Sequence, residues 1–155
     1  MIKSQSGTCA ALLFFCFAAG FALVSHGQTK TSALSLQAQL IWGTDEEKPN
    51  DPALKEIEPG LTKKLMKIFK WKRYFEVKRE RFAVEPGKIK KVEMSSPCRI
   101  EVENLGNSSV EVKLYGKGQL WGRKRHAFGT GKCLVLGGDD KNDTAWFVVI
   151  SESPP

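Results

Sequence analysis

The chain has 155 residues, with 24 lysines and arginines against 17 acidic residues, four cysteines and two histidines. This length suits one domain with a hydrophobic core. So few histidines argue against a zinc site built from imidazoles, and the formal net charge of +7 favours anionic partners.

The first 27 residues have the three-part pattern of a cleavable secretory signal peptide. Lys3 gives a positive start, Cys9–Val24 is apolar, and Ser25-His26-Gly27 places small residues before a cut at Gln28. The alternative is an uncleaved anchor, but as a helix the apolar run would span only about 24 Å of a hydrocarbon core of about 30 Å. We therefore expect a secreted or periplasmic protein without a transmembrane span in its mature chain.

Cleavage before Gln28 leaves 128 residues, and the loss of Lys3 lowers the formal net charge to +6. Two cysteines remain, and in an oxidising compartment two cysteines more often form a bridge than stay free. Cys98 alternates with apolar residues in one predicted strand, and Cys133 opens another. The sequence therefore predicts a Cys98–Cys133 disulfide, with two buried free thiols as the alternative.

After a polar, flexible lead-in at 28–33, apolar residues alternate from Leu34 to Trp42, which predicts a strand with one buried face. An acidic, turn-rich segment follows. Asp51-Pro52 predicts the start of a short helix through Ile57, and Pro59-Gly60 interrupts it. The apolar spacing from Leu61 to Phe69 then predicts an amphipathic helix whose other face carries lysines.

From Tyr74 the apolar period becomes two, and turn sequences separate seven predicted strands. Short strands at this spacing predict an antiparallel β-sandwich rather than a closed barrel, with a helical insertion after the first strand. The single β-rich domain spans 34–151, and 152–155 is predicted to be disordered. The last strand is apolar on both faces, which indicates a central position. The seven strands are Tyr74–Val84, Ile89–Met94, Cys98–Asn104, Val110–Tyr115, Gln119–Ala127, Cys133–Leu136 and Ala145–Ile150.

Positive charge is concentrated between Lys63 and Lys91, where 12 basic residues face three acidic ones, whereas Asp45–Glu58 has a net charge of −4. This layout favours an anionic partner such as an acidic glycan, an anionic lipid surface or an acidic protein, and nucleic acid is not expected. The alternative is that these residues form solvated faces only. Interleaved aromatic residues suggest stacking on a ligand, although the amphipathic spacing of most of them favours a place in the core. The candidate binding residues are Lys63, Lys64, Lys67, Lys70, Trp71, Lys72, Trp121, Arg123 and Arg125.

No catalytic, cofactor or metal motif emerges. Gly129–Cys133 resembles the end of a phosphate loop, but His126 stands where the first glycine belongs and a strand follows instead of a helix. His126 has no second imidazole beside it in the mature chain, and Glu101 with Glu103 fits a solvated strand face. Asp139–Asp143 lacks the ligand spacing of a calcium loop.

Two sequons, at Asn107 and Asn142, fall in predicted turns and matter only if the source cell glycosylates its exported proteins. Together these features predict an exported, non-enzymatic β-sandwich module with a basic face for an anionic partner. The alternative is a structural or assembly component of the cell envelope or extracellular matrix. In that case the acidic segment of one copy would meet the basic face of the next, and the oligomeric state remains open.

Overall fold

The computed structural model describes residues 32–47, 50–140 and 143–153. The predicted signal peptide, residues 28–31 of the lead-in, and Asn142 lie outside this part of the chain. The elements are β1 (Leu34–Thr44), β2 (Lys55–Glu56), α1 (Pro59–Met66), β3 (Arg73–Val84), β4 (Ile89–Ser95), β5 (Cys98–Gly106), β6 (Ser109–Gly116), β7 (Gln119–Ala127), β8 (Cys133–Asp139) and β9 (Ala145–Glu152).

The strands form two packed antiparallel sheets, which confirms the predicted sandwich. The five-stranded sheet has the order β2-β3-β1-β9-β8, and the four-stranded sheet is the meander β4-β5-β6-β7. Two-residue turns join β5 to β6 and β6 to β7, with positive φ at Asn107, Ser108, Lys117 and Gly118. Positive φ at both central residues is typical of type I′ turns, whose twist matches that of the strands they connect.

The inner core, between the two sheets, is built from alternating residues of nearly every long strand. In the five-stranded sheet it includes Leu36, Ala38 and Ile150, and in the four-stranded sheet Ile100 and Val112, all fully buried. β9 contributes to the inner core with every second residue. It is hydrogen-bonded to β1 on one side and to β8 on the other, as its apolar pattern predicts.

A second group of apolar residues, the outer cluster, covers the opposite face of the five-stranded sheet. Phe147 from β9, Ile41 from β1 and Tyr74 from β3 are buried beneath Leu65 of α1 and Trp71. The helical insertion therefore has a structural task, because it removes from water a sheet face too apolar to be left exposed.

Two local predictions in the insertion are wrong. The segment predicted as a helix through Ile57 contains β2, in which Lys55 and Glu56 pair with Glu76 and Phe75 of β3. Pro59-Gly60 begins the next helix instead of interrupting one, since proline at the first helical position lacks only an N–H that needs no partner there. A two-residue strand is too short to show a period in the sequence.

The C-terminal boundary also differs from the prediction. β9 runs to Glu152, and the N–H of Ser153 donates to the carbonyl of Ser35 at 3.0 Å. The segment predicted to be disordered from residue 152 therefore continues the sheet through its first two residues, because β1 offers backbone partners there.

The predicted Cys98–Cys133 disulfide is wrong, because the structure holds both cysteines as free, half-buried thiols. Cys98 packs against the inner core, whereas Cys133 packs against the outer cluster. The five-stranded sheet therefore separates the two sulfur atoms. Period-two alternation correctly places each cysteine on an apolar face, but it does not reveal that the two faces are different.

Across the described part of the chain, no helix is both long enough and apolar enough to cross a bilayer.

Candidate functional site

The residues predicted to bind an anionic partner lie in two separate places. Residues 63–72 lie on and just after α1, at the outer face of the five-stranded sheet. Trp121, Arg123 and Arg125 lie on β7, an edge strand of the four-stranded sheet. The structure therefore does not join the two groups into one surface.

Trp71 is a core residue, and its predicted role as a ligand-stacking ring is wrong. Its side chain is 4% exposed, and its ring meets Phe147 edge-on with centroids 5.6 Å apart. Its Nε1–H donates to the carbonyl of Asp143 at 2.8 Å. The indole therefore belongs to the outer cluster.

The side chain of Lys70 and the backbone of Lys72, on either side of Trp71, have partners within the protein. Lys70 forms an ion pair with Asp143, and its Nζ lies 5.2 Å from the centre of the Trp71 ring. The backbone N–H of Lys72 donates to the Asp45 carboxylate at 2.8 Å. These contacts tie the segment to the β1 and β9 ends of the sheet and neutralise the charge of Lys70.

Exposed lysines on and just after α1 form a basic surface, and a lysine of the β7–β8 loop extends it. Lys63 and Lys67 are exposed, and in the part of the chain that the structure describes neither makes an ion pair. Lys64 donates from Nζ to the carbonyl of Gly131 at 2.8 Å, which holds the β7–β8 loop beside the helix. This contact adds Lys132, and we call Lys63, Lys64, Lys67 and Lys132 the basic surface.

A groove of about 330 Å³ runs between α1 and the β7–β8 loop, with Lys64 and Lys132 on its walls. Gln37, Gln39 and Cys133 line it from the sheet. Two carboxylates, Glu58 and Glu152, also line the groove.

Hydrogen bonds hold the glutamines of the groove in place. Gln39 donates from Nε2 to Glu76 at 2.7 Å, and Gln37 accepts at Oε1 from Arg81 Nε at 3.2 Å. Arg79 compensates the charge of Glu58, with Nη2 3.0 Å from its carboxylate. With Glu58 compensated by Arg79, the two ammonium groups of Lys64 and Lys132 outweigh the single charge of Glu152, so the groove can hold a carboxylate or sulfate group.

The two arginines of β7 share one structural partner. Glu111, 8% exposed, lies 2.9 Å from Arg125 Nε and 3.6 Å from Arg123 Nε. The hydrogen bond from Arg125, helped by the charges of both arginines and Lys113, lowers the pKa of Glu111. These arginines therefore keep an acidic side chain ionised within the sheet, and less of their charge is available to a partner.

The acidic residues considered for acid–base catalysis lie on the outer face of the four-stranded sheet. Glu101 accepts a hydrogen bond from the Tyr115 hydroxyl at 3.2 Å and pairs with Lys91 and Arg99. Within residues 32–47, 50–140 and 143–153, no group of three or more metal-ligating side chains occurs. Burial, and then the charge of Glu93, raises the pKa of the Cys98 thiol, which keeps it protonated at neutral pH.

His126 is held by packing rather than by polar contacts. Its ring meets Phe128 edge-on at 4.8 Å, and its buried Nε2 has no hydrogen-bond partner among the described residues. Burial, and then the nearby charge of Lys132, lowers the pKa of His126 from its ordinary value of 6.5. The neutral imidazole is therefore the folded form at pH 7.

We expect the protein to lose stability on acidification from about pH 7.5 to about pH 5.5, above the range in which carboxylates titrate. In this range the unfolded chain binds a proton at His126 more readily than the folded chain does. The free energy of unfolding therefore decreases as the pH is lowered. Urea unfolding at each pH measures the slope. His126→Gln should remove this part of the pH dependence, and an identical slope in wild type and variant would contradict the assignment.

The sequence predicts the lysines of α1 correctly as exposed cations, but it misses Lys132, Gln37 and Gln39. Lys132 lies far along the chain from α1. In β1 the two glutamines alternate with apolar residues, and this pattern identifies them only as polar residues on the opposite face of the strand. Searches of known protein families, of curated proteins and of solved structures found nothing that matches this chain.

Proposed function

We propose that this chain is an exported, non-enzymatic binding module that holds a polyanion on its basic surface. The observation that supports this most directly is the groove between α1 and the β7–β8 loop, flanked by Lys64 and Lys132. A concave groove accepts a chain-like anion, such as an acidic glycan, better than a flat lipid surface. An anionic lipid surface and an acidic protein are the other partners that the charge layout permits.

Reversing the charge of three lysines tests this proposal. The variant Lys63→Glu, Lys67→Glu, Lys132→Glu should elute from a heparin column at much lower salt than wild type, because exposed charges bind polyanions by screened Coulomb attraction. We expect its dissociation constant for heparin to rise by about tenfold or more, a change of about 1.4 kcal/mol.

A matched control separates the basic surface from the net charge. Lys88→Glu, Lys90→Glu, Lys124→Glu changes the net charge equally, but its three exposed positions lie on the four-stranded sheet or just before it. We expect a clearly smaller shift for the control. Equal shifts in the two variants would show binding by overall charge alone and contradict the proposal.

The assembly alternative predicts a different result. A component that self-associates through its acidic and basic segments should show a salt-sensitive increase in mass by light scattering without any polyanion. The charge-reversed variant should then lose this association.

A further inference from the structure

An apolar cavity of about 380 Å³ opens between the two sheets at the end of the sandwich where β8 ends and β9 begins. Its deep walls are aliphatic and come from both sheets, with Leu40, Leu136 and Val148 on one side and Leu114 on the other. Cys98 also lines it. The groove beside the basic surface lies on the other face of the five-stranded sheet, so the two sites are separate.

Glycines on the walls create this space. Gly138 occupies an inward position, two residues beyond Leu136 on β8, and a Cβ there would meet nothing within 4 Å. Gly116 on β6 lies directly beneath the ring of Trp121, which would clash with any side chain at that position. The absence of a side chain at Gly138 therefore widens the cavity, and the absence of one at Gly116 lets the indole of Trp121 lie against the backbone at its mouth.

Exposed apolar side chains surround the mouth. Trp121 is 60% exposed and Trp146 is 38% exposed, although the same domain buries Trp71 almost completely. The Trp146 ring is anchored, since its Nε1–H donates to the Asp140 carboxylate at 2.6 Å. Concave apolar sites with aromatic walls and few polar groups are typical of small-molecule binding sites.

The charges at the mouth indicate which ligand fits. Lys117 and Asp140 are the side chains charged at neutral pH among the described residues that line the cavity, and their formal charges cancel. The volume is within the range of small-molecule sites, whereas a helix of a partner protein, about 10–12 Å across, would not enter. We propose that this cavity binds a small uncharged molecule with an aromatic or alicyclic ring, an activity beyond the polyanion binding proposed above.

The uncharged fluorescent probe N-phenyl-1-naphthylamine tests this proposal with the full chain. We expect saturable binding of one probe per molecule, with a blue shift of its emission. Gly138→Leu should weaken binding by about tenfold or more, because the added side chain fills the cavity without meeting a neighbour. Gly60→Leu, on α1 at a position with equally open surroundings, should leave the affinity unchanged.

The cysteines provide a second measurement within the same molecule. A bound probe should slow alkylation of Cys98 by N-ethylmaleimide several-fold and leave the rate at Cys133 unchanged, because Cys133 lies in the groove on the other face. Peptide mapping by mass spectrometry reads both rates. Equal protection of both cysteines, or equal affinity in the two glycine variants, overturns the proposal. Failure of the probe to bind also overturns it.

Discussion

Replacing Phe147 with alanine is expected to lower the free energy of unfolding by about 3–5 kcal/mol, the cost of removing a fully buried aromatic ring. Phe147 is 2% exposed at the centre of the outer cluster. Its ring centroid lies 4.5 Å from that of Phe69 and 6.0 Å from that of Tyr74. On the neighbouring strand β8, a Cβ at Gly137 would lie 2.5 Å from the Phe147 ring, so the backbone there fits closely around the side chain.

Chemical unfolding in urea measures this loss, provided that the slope of the transition stays constant. Ile68→Ala is the control, because that side chain follows α1 and is 68% exposed. It should change stability by no more than about 0.5 kcal/mol. A similar small change for Phe147→Ala would mean that α1 and the segment after it do not pack on the sheet as described.

Replacing Asn104 with alanine is expected to cost about 2–4 kcal/mol, because the buried carbonyl of Val84 and the N–H of Gly106 would lose the hydrogen bonds that this side chain makes. Asn104 is 3% exposed near the end of β5. Its Nδ2 donates to the carbonyl of Val84 at 2.8 Å, and its Oδ1 accepts from the N–H of Gly106 at 2.9 Å. Val84 belongs to the five-stranded sheet, so the Asn104 side chain joins the two sheets where the chain passes from β3 to β4.

Glu103→Ala provides a matched control, since Glu103 is the preceding residue and points to the opposite face of β5. We expect it to change stability by about 0.5 kcal/mol or less. Thermal unfolding followed by circular dichroism compares the two variants with wild type. Equal stabilities for Asn104→Ala and Glu103→Ala would refute a structural role for the Asn104 amide.

The two proposed sites share strand β9 but use alternate residues of it. Trp146 and Val148 line the cavity between the sheets, whereas Val149 and Ser151 line the groove beside the basic surface. A strand presents successive side chains to opposite faces, so both sites depend on the same backbone. β9 is apolar on both faces because Val148 and Ile150 pack in the inner core, whereas Phe147 and Val149 pack in the outer cluster.

Alternation of apolar residues was enough to predict most strands, the antiparallel pairing and the sandwich, because period two and short turns are local properties of the chain. The exposure of Lys63, Lys64 and Lys67 also follows from local spacing on α1 and at its C-cap. The two-residue strand β2 could not be predicted from the sequence, because it forms by pairing with the edge of β3, which is distant in the chain.

Only the tertiary structure decided which side chains meet. Alternation shows that Cys98 and Cys133 each face an apolar layer, but whether the layer is the inner core or the outer cluster depends on how the sheets stack. The same limit applies to Trp71, which the sequence places among lysines and the fold places in the outer cluster. The separation of Trp121 from the α1 lysines, and the addition of Lys132 to them, follow from contacts between residues distant in sequence, which no local pattern encodes.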